Sequence, residues 1–377
     1  MNVYVCSTVR HVLFAVLRAA HRGDEHHQIL VFTDYQDAGL EHWDLAALPA
    51  HTEVVQLQRA AVRAALRNDR PGRIAYFFAM RGWPAPAALR RRLLRALHDI
   101  APHAAASWSQ PTLPDLWLFN ERNKMSRLFR LLQPQFALLE EGEGNYTRIS
   151  MPWWKWPLRA LQGLPPQVRQ FGEDRHCAAI WVLYPERLAP SLRDKAHAID
   201  FLHLNTAREL MQRLFGNSLP AGFDTATVIL ATQPLEIVEG ITVAAKQGFY
   251  RQLVATLLAR NERVILKAHP AESAADYSFL DGQVMRTVDA LPLEVLLLAS
   301  PRRLRIVSVI STAGLGFERH CERIKLCPEG TDTAGFAAAL RRWLQHPEEL
   351  NACLAERLDH HAAAGSSPMS SQATGVP

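Results

Sequence analysis

Phe136-Ala137-Leu138-Leu139-Glu140-Glu141-Gly142-Glu143-Gly144-Asn145-Tyr146 reads as a short apolar strand that stops at a carboxylate pair and a glycine-containing turn. Two later stretches repeat the plan. Val264 to Leu266 runs through Lys267-Ala268 into His269-Pro270, and Ile306 to Ile310 runs into Ser311-Thr312-Ala313-Gly314. Apolar runs this short, bounded by polar turns, suit strands of a parallel sheet covered on both faces. Ligands of such sheets bind beyond the carboxyl ends of the strands. A carboxylate pair, a histidine and a hydroxyl pair are therefore expected where a ligand would lie.

Working outward, strands and helices alternate. Val3–Val5, Gln28–Phe32, Glu53–Leu57, Asp115–Phe119 and Ala178–Leu183 read as strands. Helices are expected over Val12–Arg22, Gln58–Arg67, Pro86–Asp99 and Thr206–Phe215, and Arg73–Met80 is a further apolar run. Gly216-Asn217 and Pro220-Ala221-Gly222 form a turn-rich break. The alternation then restarts with strand Thr227–Ala231, helix Val243–Arg260, the Val264–Leu266 strand, a short strand Gln283–Thr287 and a short helix Leu293–Leu298. The Ile306–Ile310 strand, a helix from Gly314, strand Ile324–Leu326 and terminal helices complete it. This is the pattern of two α/β domains, expected over 1–220 and 221–362, with a disordered tail over 363–377.

The 377 residues, 48% hydrophobic, suffice for two ordinary domains with sizeable cores. Five scattered cysteines fit neither a disulfide framework nor a zinc pattern, which points to a reducing compartment. No run of about 18 apolar residues occurs, and Val3-Tyr4-Val5 precedes any basic leader segment. A cytoplasmic protein is the simplest expectation.

The net charge of +5 is unevenly placed: Arg59 to Arg95 holds ten arginines and one acid, Asp69. Arg90-Arg91-Arg92 with Arg95 reads either as a solvated helix face or as a contact for anionic lipid or polymer. No nucleic-acid recognition motif accompanies it. Met151-Pro152-Trp153-Trp154-Lys155-Trp156-Pro157 interrupts the alternation. It reads either as a membrane-interface element or as a cover packed over the domain.

Each chemical segment has two readings. Glu140 and Glu141 are an acidic turn, or a base whose pKa is raised by its neighbour. His269 is a surface histidine, or a donor to a leaving phosphate. Ser311-Thr312 is a helix N-cap, or a phosphate cradle at a helix start. Glu294 is a helix-start acid, or a holder of ribose hydroxyls. The order of base, acid and phosphate binder at successive strand ends favours the functional readings together. The chain holds no Walker loop, G-x-G-x-x-G fingerprint, H-E-x-x-H or G-x-S-x-G elbow.

In this order the motifs resemble those of bacterial sialyltransferases, especially the polysialyltransferase-like and lipooligosaccharide groups: an acidic pair with glycine, an HP dipeptide and a Ser-Ser/Thr pair. Cys6-Ser7-Thr8 with His11, Tyr184-Pro185-Glu186 and Thr232-Gln233-Pro234 resemble further parts of the family. The resemblance spans roughly residues 1 to 345. The usual Lys-Pro-His-Pro string is here Lys267-Ala268-His269-Pro270, and the tryptophan segment has no family counterpart.

The resemblance implies a GT-B fold of two Rossmann-like domains with the site in the interdomain cleft. It implies inverting, metal-independent transfer of sialic acid from CMP-sialic acid to a surface-glycan hydroxyl, without a cofactor. Glu141 is then the general base, assisted by Glu140, with Gly142 and Gly144 on the acceptor side. His269 serves the leaving CMP phosphate, and Ser311, Thr312, Lys267, Gln233 and Glu294 bind the nucleotide. CMP-Kdo is an alternative donor. A CDP-polyol-phosphate transferase and a non-catalytic membrane- or anionic-glycan-binding protein are alternative functions. The expected location is the cytoplasm, with peripheral contact at the inner membrane face through Arg90–Arg95 and Trp153–Trp156 as one reading.

Overall fold

The computed structural model describes residues 1–34, 39–82, 86–161, 163–269, 271–288, 291–311, 313–328 and 331–365. The chain divides into two compact units, Met1–Leu214 and Phe215–Pro377. The division falls at the end of a helix, just ahead of the Gly216-Asn217 break rather than after residue 220.

The first unit runs β1 (Asn2–Cys6), α1 (Val9–His21), β2 (His27–Phe32), β3 (Thr52–Leu57), α2 (Arg59–Arg67), α3 (Arg70–Arg81), α4 (Ala87–Ile100), α5 (Pro102–Ala106) and β4 (Asp115–Leu118). It continues α6 (Lys124–Leu132), β5 (Phe136–Leu139), β6 (Ile149–Ser150), α7 (Trp156–Leu161), β7 (Val168–Arg169), β8 (Cys177–Val182), β9 (Ala196–Ala198) and α8 (Asn205–Phe215). Among the described residues, seven strands form one parallel sheet in the order β3-β2-β1-β4-β5-β8-β9. The chain therefore reverses direction across the sheet between β1 and β4, the topological switch point of an open α/β sheet.

Helix α1 packs against this sheet. Val12, Leu13, Phe14, Val16 and Leu17 are buried, and each large apolar side chain contributes about 1.5–3 kcal/mol. The Thr8 hydroxyl caps the helix by accepting from His11 N–H at 3.3 Å, which fixes the first turn directly after β1. On the other face a core of Val3, Val5, Leu30, Phe129 and Leu138 packs under α2 to α6.

The apolar run Arg73–Met80 is the helix α3. Asp69 caps it by accepting from Gly72 N–H at 2.7 Å, Pro71 sits in its first turn, and Gly82 at φ +67° ends it. These start and stop signals flank the run and override its strand-like apolarity.

The second unit runs β10 (Val228–Ala231), α9 (Val243–Ala259), β11 (Val264–Lys267), β12 (Met285–Arg286), α10 (Leu293–Ala299), β13 (Leu304–Ser308), β14 (Cys321–Lys325), α11 (Thr333–Gln345) and α12 (Pro347–Gly365). Its sheet is parallel throughout, in the order β12-β11-β10-β13-β14. The switch point lies between β10 and β13. Tyr250, Leu253, Leu257, Leu266, Val307 and Leu354 share its core. Each unit is Rossmann-like, and the chain has the two-unit composition of the GT-B fold.

Two expectations need correction. No helix starts at Gly314: residues 313–316 are turns. Gly314, at φ +75°, lies so close to the sheet that a Cβ would stand 2.4 Å from Ile306 Cδ1 and 2.8 Å from Cys321 Sγ. A chain folded back this tightly onto β13 has no room to begin a helix. The expected tail at 363 also starts too early, because α12 continues to Gly365; residues 366–377 lie outside the described residues. All five cysteines are free.

Candidate active site

The carboxyl ends of β1, β4 and β5 bring Ser7, His11, Asn120 and Glu141 together at the first unit's switch point. The acidic pair splits in function because successive residues beyond a strand point to opposite sides. Glu140 is 3% exposed and saturated. Its Oε2 accepts from Leu183 N–H at 2.7 Å and from the Tyr146 hydroxyl, and Arg10 Nη2 stands 3.5 Å from Oε1. The Tyr146 oxygen in turn accepts from Tyr184 N–H at 3.1 Å. Burial, then the Glu140 charge, raises the Tyr146 pKa, so the phenol stays a donor. Glu140 is thus an anchor tying the end of β5 to the end of β8, and it supports its neighbour through the backbone.

Glu141 keeps 31% of its side chain exposed. Asn120 Nδ2 donates to its Oε2 at 2.9 Å. Burial raises its pKa, and the Asn120 hydrogen bond opposes the rise. Repulsion from Glu140, the cause expected from the sequence, is not what raises it. Asn145 Oδ1 accepts from Glu141 N–H at 2.8 Å and Gly142 N–H at 3.2 Å, closing the turn. Gly142 has φ +140°, and a Cβ there would meet nothing within 4 Å. A Cβ at Gly144 would reach 3.9 Å from Glu141 Oε2. The turn leaves open space beside Gly142 and keeps Glu141 partly exposed, as a general base toward a hydroxyl requires.

In the second unit the ends of β10, β11 and β13 form the matching cluster. His269 is half-buried, and its Nδ1 accepts from Ala271 N–H at 3.1 Å. The neutral ring therefore carries its proton on Nε2. Burial lowers its pKa, with Glu272 opposing and Lys267 reinforcing the shift. The loop is held from beneath. Thr232 Oγ1 accepts from His269 N–H at 3.0 Å and donates to Glu272 Oε2 at 2.7 Å. Glu272 Oε1 accepts from Lys246 Nζ at 2.9 Å and the Tyr277 hydroxyl at 2.8 Å. This buried Lys246–Glu272 pair supports the loop that carries His269.

Lys267, expected to bind phosphate, is buried and donates from Nζ to Ala268 O at 3.0 Å. Gln233 accepts at Oε1 from Ile310 N–H at 2.8 Å, which joins the ends of β10 and β13 beside Ser311. The Ser311 hydroxyl accepts from Ala313 N–H at 3.0 Å in a local turn. Glu294 stands in the first turn of α10. Thr312 and Pro270 lie outside the described residues. Among the described residues, no group of three His, Cys, Asp or Glu side chains is placed to hold a metal ion.

The sequence reading missed Asn120, Asn145, Thr232 and Glu272 as site residues. Asn120 carries the same signal as Glu140, a polar residue just past a buried strand. Glu272 carries none, because its importance comes from Lys246 on the distant α9.

The tryptophan segment does not pack over the unit. Strands β6 and β7 pair antiparallel and carry an excursion with Trp153 75%, Trp154 61% and Leu161 86% exposed. Arg159 secures its base, donating to Pro165 O, Val168 O and both Glu173 oxygens at 2.7–2.9 Å. Arg90 and Arg92, by contrast, are committed within the unit: Arg90 donates to Leu132 O, and Arg92 to Asp69 and Ala65 O. Among the described residues no helix is long and apolar enough to cross a membrane.

The family model for alpha-2,8-polysialyltransferase (POLYST) matches residues 125–316, just over half of the chain. The match includes Glu140, Glu141, Gln233, Lys267, His269, Glu294 and Ser311. No curated protein sequence matches the chain. A solved structure of an α/β-galactoside α-2,3-sialyltransferase from the luminous marine bacterium Photobacterium phosphoreum superposes with TM-score 0.51 at 10% identity, covering 91% of this chain and 95% of that one. The UDP-GlcNAc 2-epimerase of Methanocaldococcus jannaschii matches with TM-score 0.41 at 9% identity, over 92% of this chain and 93% of that one. The first of these likenesses supports the fold, and the sequence match supports the kind of enzyme. With its motif residues inside the matched span, the chain belongs to the alpha-2,8-polysialyltransferase family and is a glycosyltransferase of sialyltransferase type.

Proposed function

We propose that the protein transfers sialic acid, or a related 2-keto sugar acid such as Kdo, from its CMP-activated donor to a hydroxyl of a bacterial surface glycan, with inversion. The observation that carries this reading is Glu141: an accessible carboxylate at a switch point, with burial raising its pKa. The acceptor O–H gives its proton to this carboxylate as the acceptor oxygen bonds to the anomeric carbon. The bond from that carbon to the phosphate oxygen breaks, and CMP leaves with the electron pair. His269 Nε2–H donates to a phosphate oxygen, where negative charge grows in the transition state. The Ser311 hydroxyl, with Thr312, donates to the same phosphate. Glu294 is assigned to the ribose hydroxyls, and Lys267 contributes positive charge beneath the phosphate.

A nucleoside monophosphate leaving group carries less charge than a diphosphate. These donors suffice for it in this proposal, and no essential metal is assigned. Thermal stabilisation across CMP-sialic acid, CMP-Kdo and a CDP-activated polyol tests the donor class. A rise in melting temperature with the CMP-sugars alone is expected. Stabilisation by the CDP-polyol alone contradicts the assignment.

We also propose that the enzyme works in the cytoplasm, at the inner membrane face, through the tryptophan excursion rather than the Arg90–Arg95 helix. From Gly144 to Gly172 the sequence holds Arg148, Lys155, Arg159 and Arg169 and no acid, which suits an anionic bilayer. Trp153→Ala with Trp154→Ala is expected to weaken cosedimentation with anionic vesicles by roughly tenfold, about 1.4 kcal/mol. Transfer to a soluble acceptor should be unchanged. Undiminished vesicle binding by the double variant sinks this proposal.

A further inference from the structure

We propose that His11 is a positioning residue for Glu141, acting as a fixed neutral N–H donor on the side of the carboxylate opposite Asn120. The inference rests on the reading of Glu141 as the base. The His11 side chain is 3% exposed and lies on Phe119 with ring centroids 4.2 Å apart and planes 5° from parallel. Its Nδ1 accepts from Ser7 N–H at 3.1 Å, so the proton of the neutral ring resides on Nε2. That atom is buried and has no hydrogen-bond partner among the described residues. It faces Glu141 Oε1 at 3.9 Å, while Asn120 holds Oε2.

A buried N–H without a partner is costly. Here it is aimed at the oxygen that must turn toward an acceptor hydroxyl. The gap exceeds a hydrogen bond, and catalytic contacts of this kind tighten in the complex with substrate. Burial, and then Arg10, lower the His11 pKa to about 3. The ring therefore stays neutral near physiological pH and orients the carboxylate without forming an ion pair with it. Among the described side chains, the titratable and charged groups around Glu141 are His11 and Arg10 from α1, with Glu140 and Tyr146 from its own segment. Asn120 beyond β4 and Asn145 are its neutral partners. From α1, Arg10 reaches Glu140 and His11 faces Glu141.

The test compares His11→Phe, which keeps the stack and removes the donor, with His11→Gln, which keeps one donor and one acceptor. His11→Phe is expected to lower kcat about 10–100-fold, leave the donor KM within about twofold, and move the acid limb of kcat/KM up by roughly one pH unit. His11→Gln should restore the acid limb and most of kcat. A wild-type acid limb in His11→Phe, or no rescue by Gln in a folded variant, overturns the inference. Histidine ¹⁵N NMR on the wild-type protein needs no variant: a neutral Nε2–H tautomer is expected from about pH 5 to 9, and an Nδ1–H tautomer overturns it. Glu141→Gln is the control. Activity retained there removes the base reading itself, whereas an inactive Glu141→Gln beside a wild-type-like His11→Phe removes only the role of His11.

Discussion

Glu141→Gln is expected to lower transfer about 10²–10⁴-fold, the range of a lost general base, with the melting temperature close to wild type. The amide has the carboxylate's shape, and its oxygen can still accept from Asn120. The turn is fixed separately, by Asn145 on the backbone and by Glu140 on Tyr146 and Leu183. The loss should therefore be chemical rather than structural. A base works only when ionised, so wild-type kcat/KM should fall as pH drops through the Glu141 pKa. Burial places that limb above the ordinary glutamate range. Wild-type activity in folded Glu141→Gln contradicts the assignment.

His269→Ala is expected to lower kcat about 10²–10³-fold, with a smaller change in donor KM. In the proposed mechanism the hydrogen bond from His269 Nε2 to phosphate strengthens as charge moves onto the leaving group, so its loss would fall mainly on the transition state. The loop should survive, because Thr232 grips the backbone N–H of residue 269 and the Glu272–Lys246 pair lies beneath it. Burial depresses the His269 pKa, and with Nδ1 accepting from Ala271 N–H the proposed donor is the neutral Nε2–H form. Steady-state kinetics with purified, folded variant checks this. An unchanged kcat with raised KM would make His269 a binding residue only.

The alternation of strands and helices was legible because the buried runs at Val3–Val5, Phe136–Leu139 and Val264–Leu266 are short, apolar and bounded by polar turns. Arg73–Met80 was ambiguous because an apolar run of that length suits either state; the cap at Asp69 and the stop at Gly82 decide it. The helix expected at Gly314 was misread because a glycine after Ser-Thr marks either a helix start or a tight return. Only contact with Ile306 and Cys321 distinguishes them. Within the site, residues just past strand ends could be found by position. The division of labour between Glu140 and Glu141 could not, since it depends on Leu183, Tyr146 and Asn120 approaching from other elements. Gln233 was legible as part of a motif, but its partner Ile310 lies just past β13, far along the chain. The family match then narrows to sialyltransferase chemistry what the motifs had left open among several transferases.

The most direct measurement is acceptor-dependent release of CMP from CMP-sialic acid by the purified wild-type protein, with CMP-Kdo and a CDP-activated polyol in parallel. The proposed function predicts CMP release from a CMP-sugar acid, rising on addition of a glycan acceptor and matched mole for mole by sugar transferred. Turnover of the CDP-activated donor alone, or no CMP release from either CMP-sugar by folded protein with acceptor present, would contradict it.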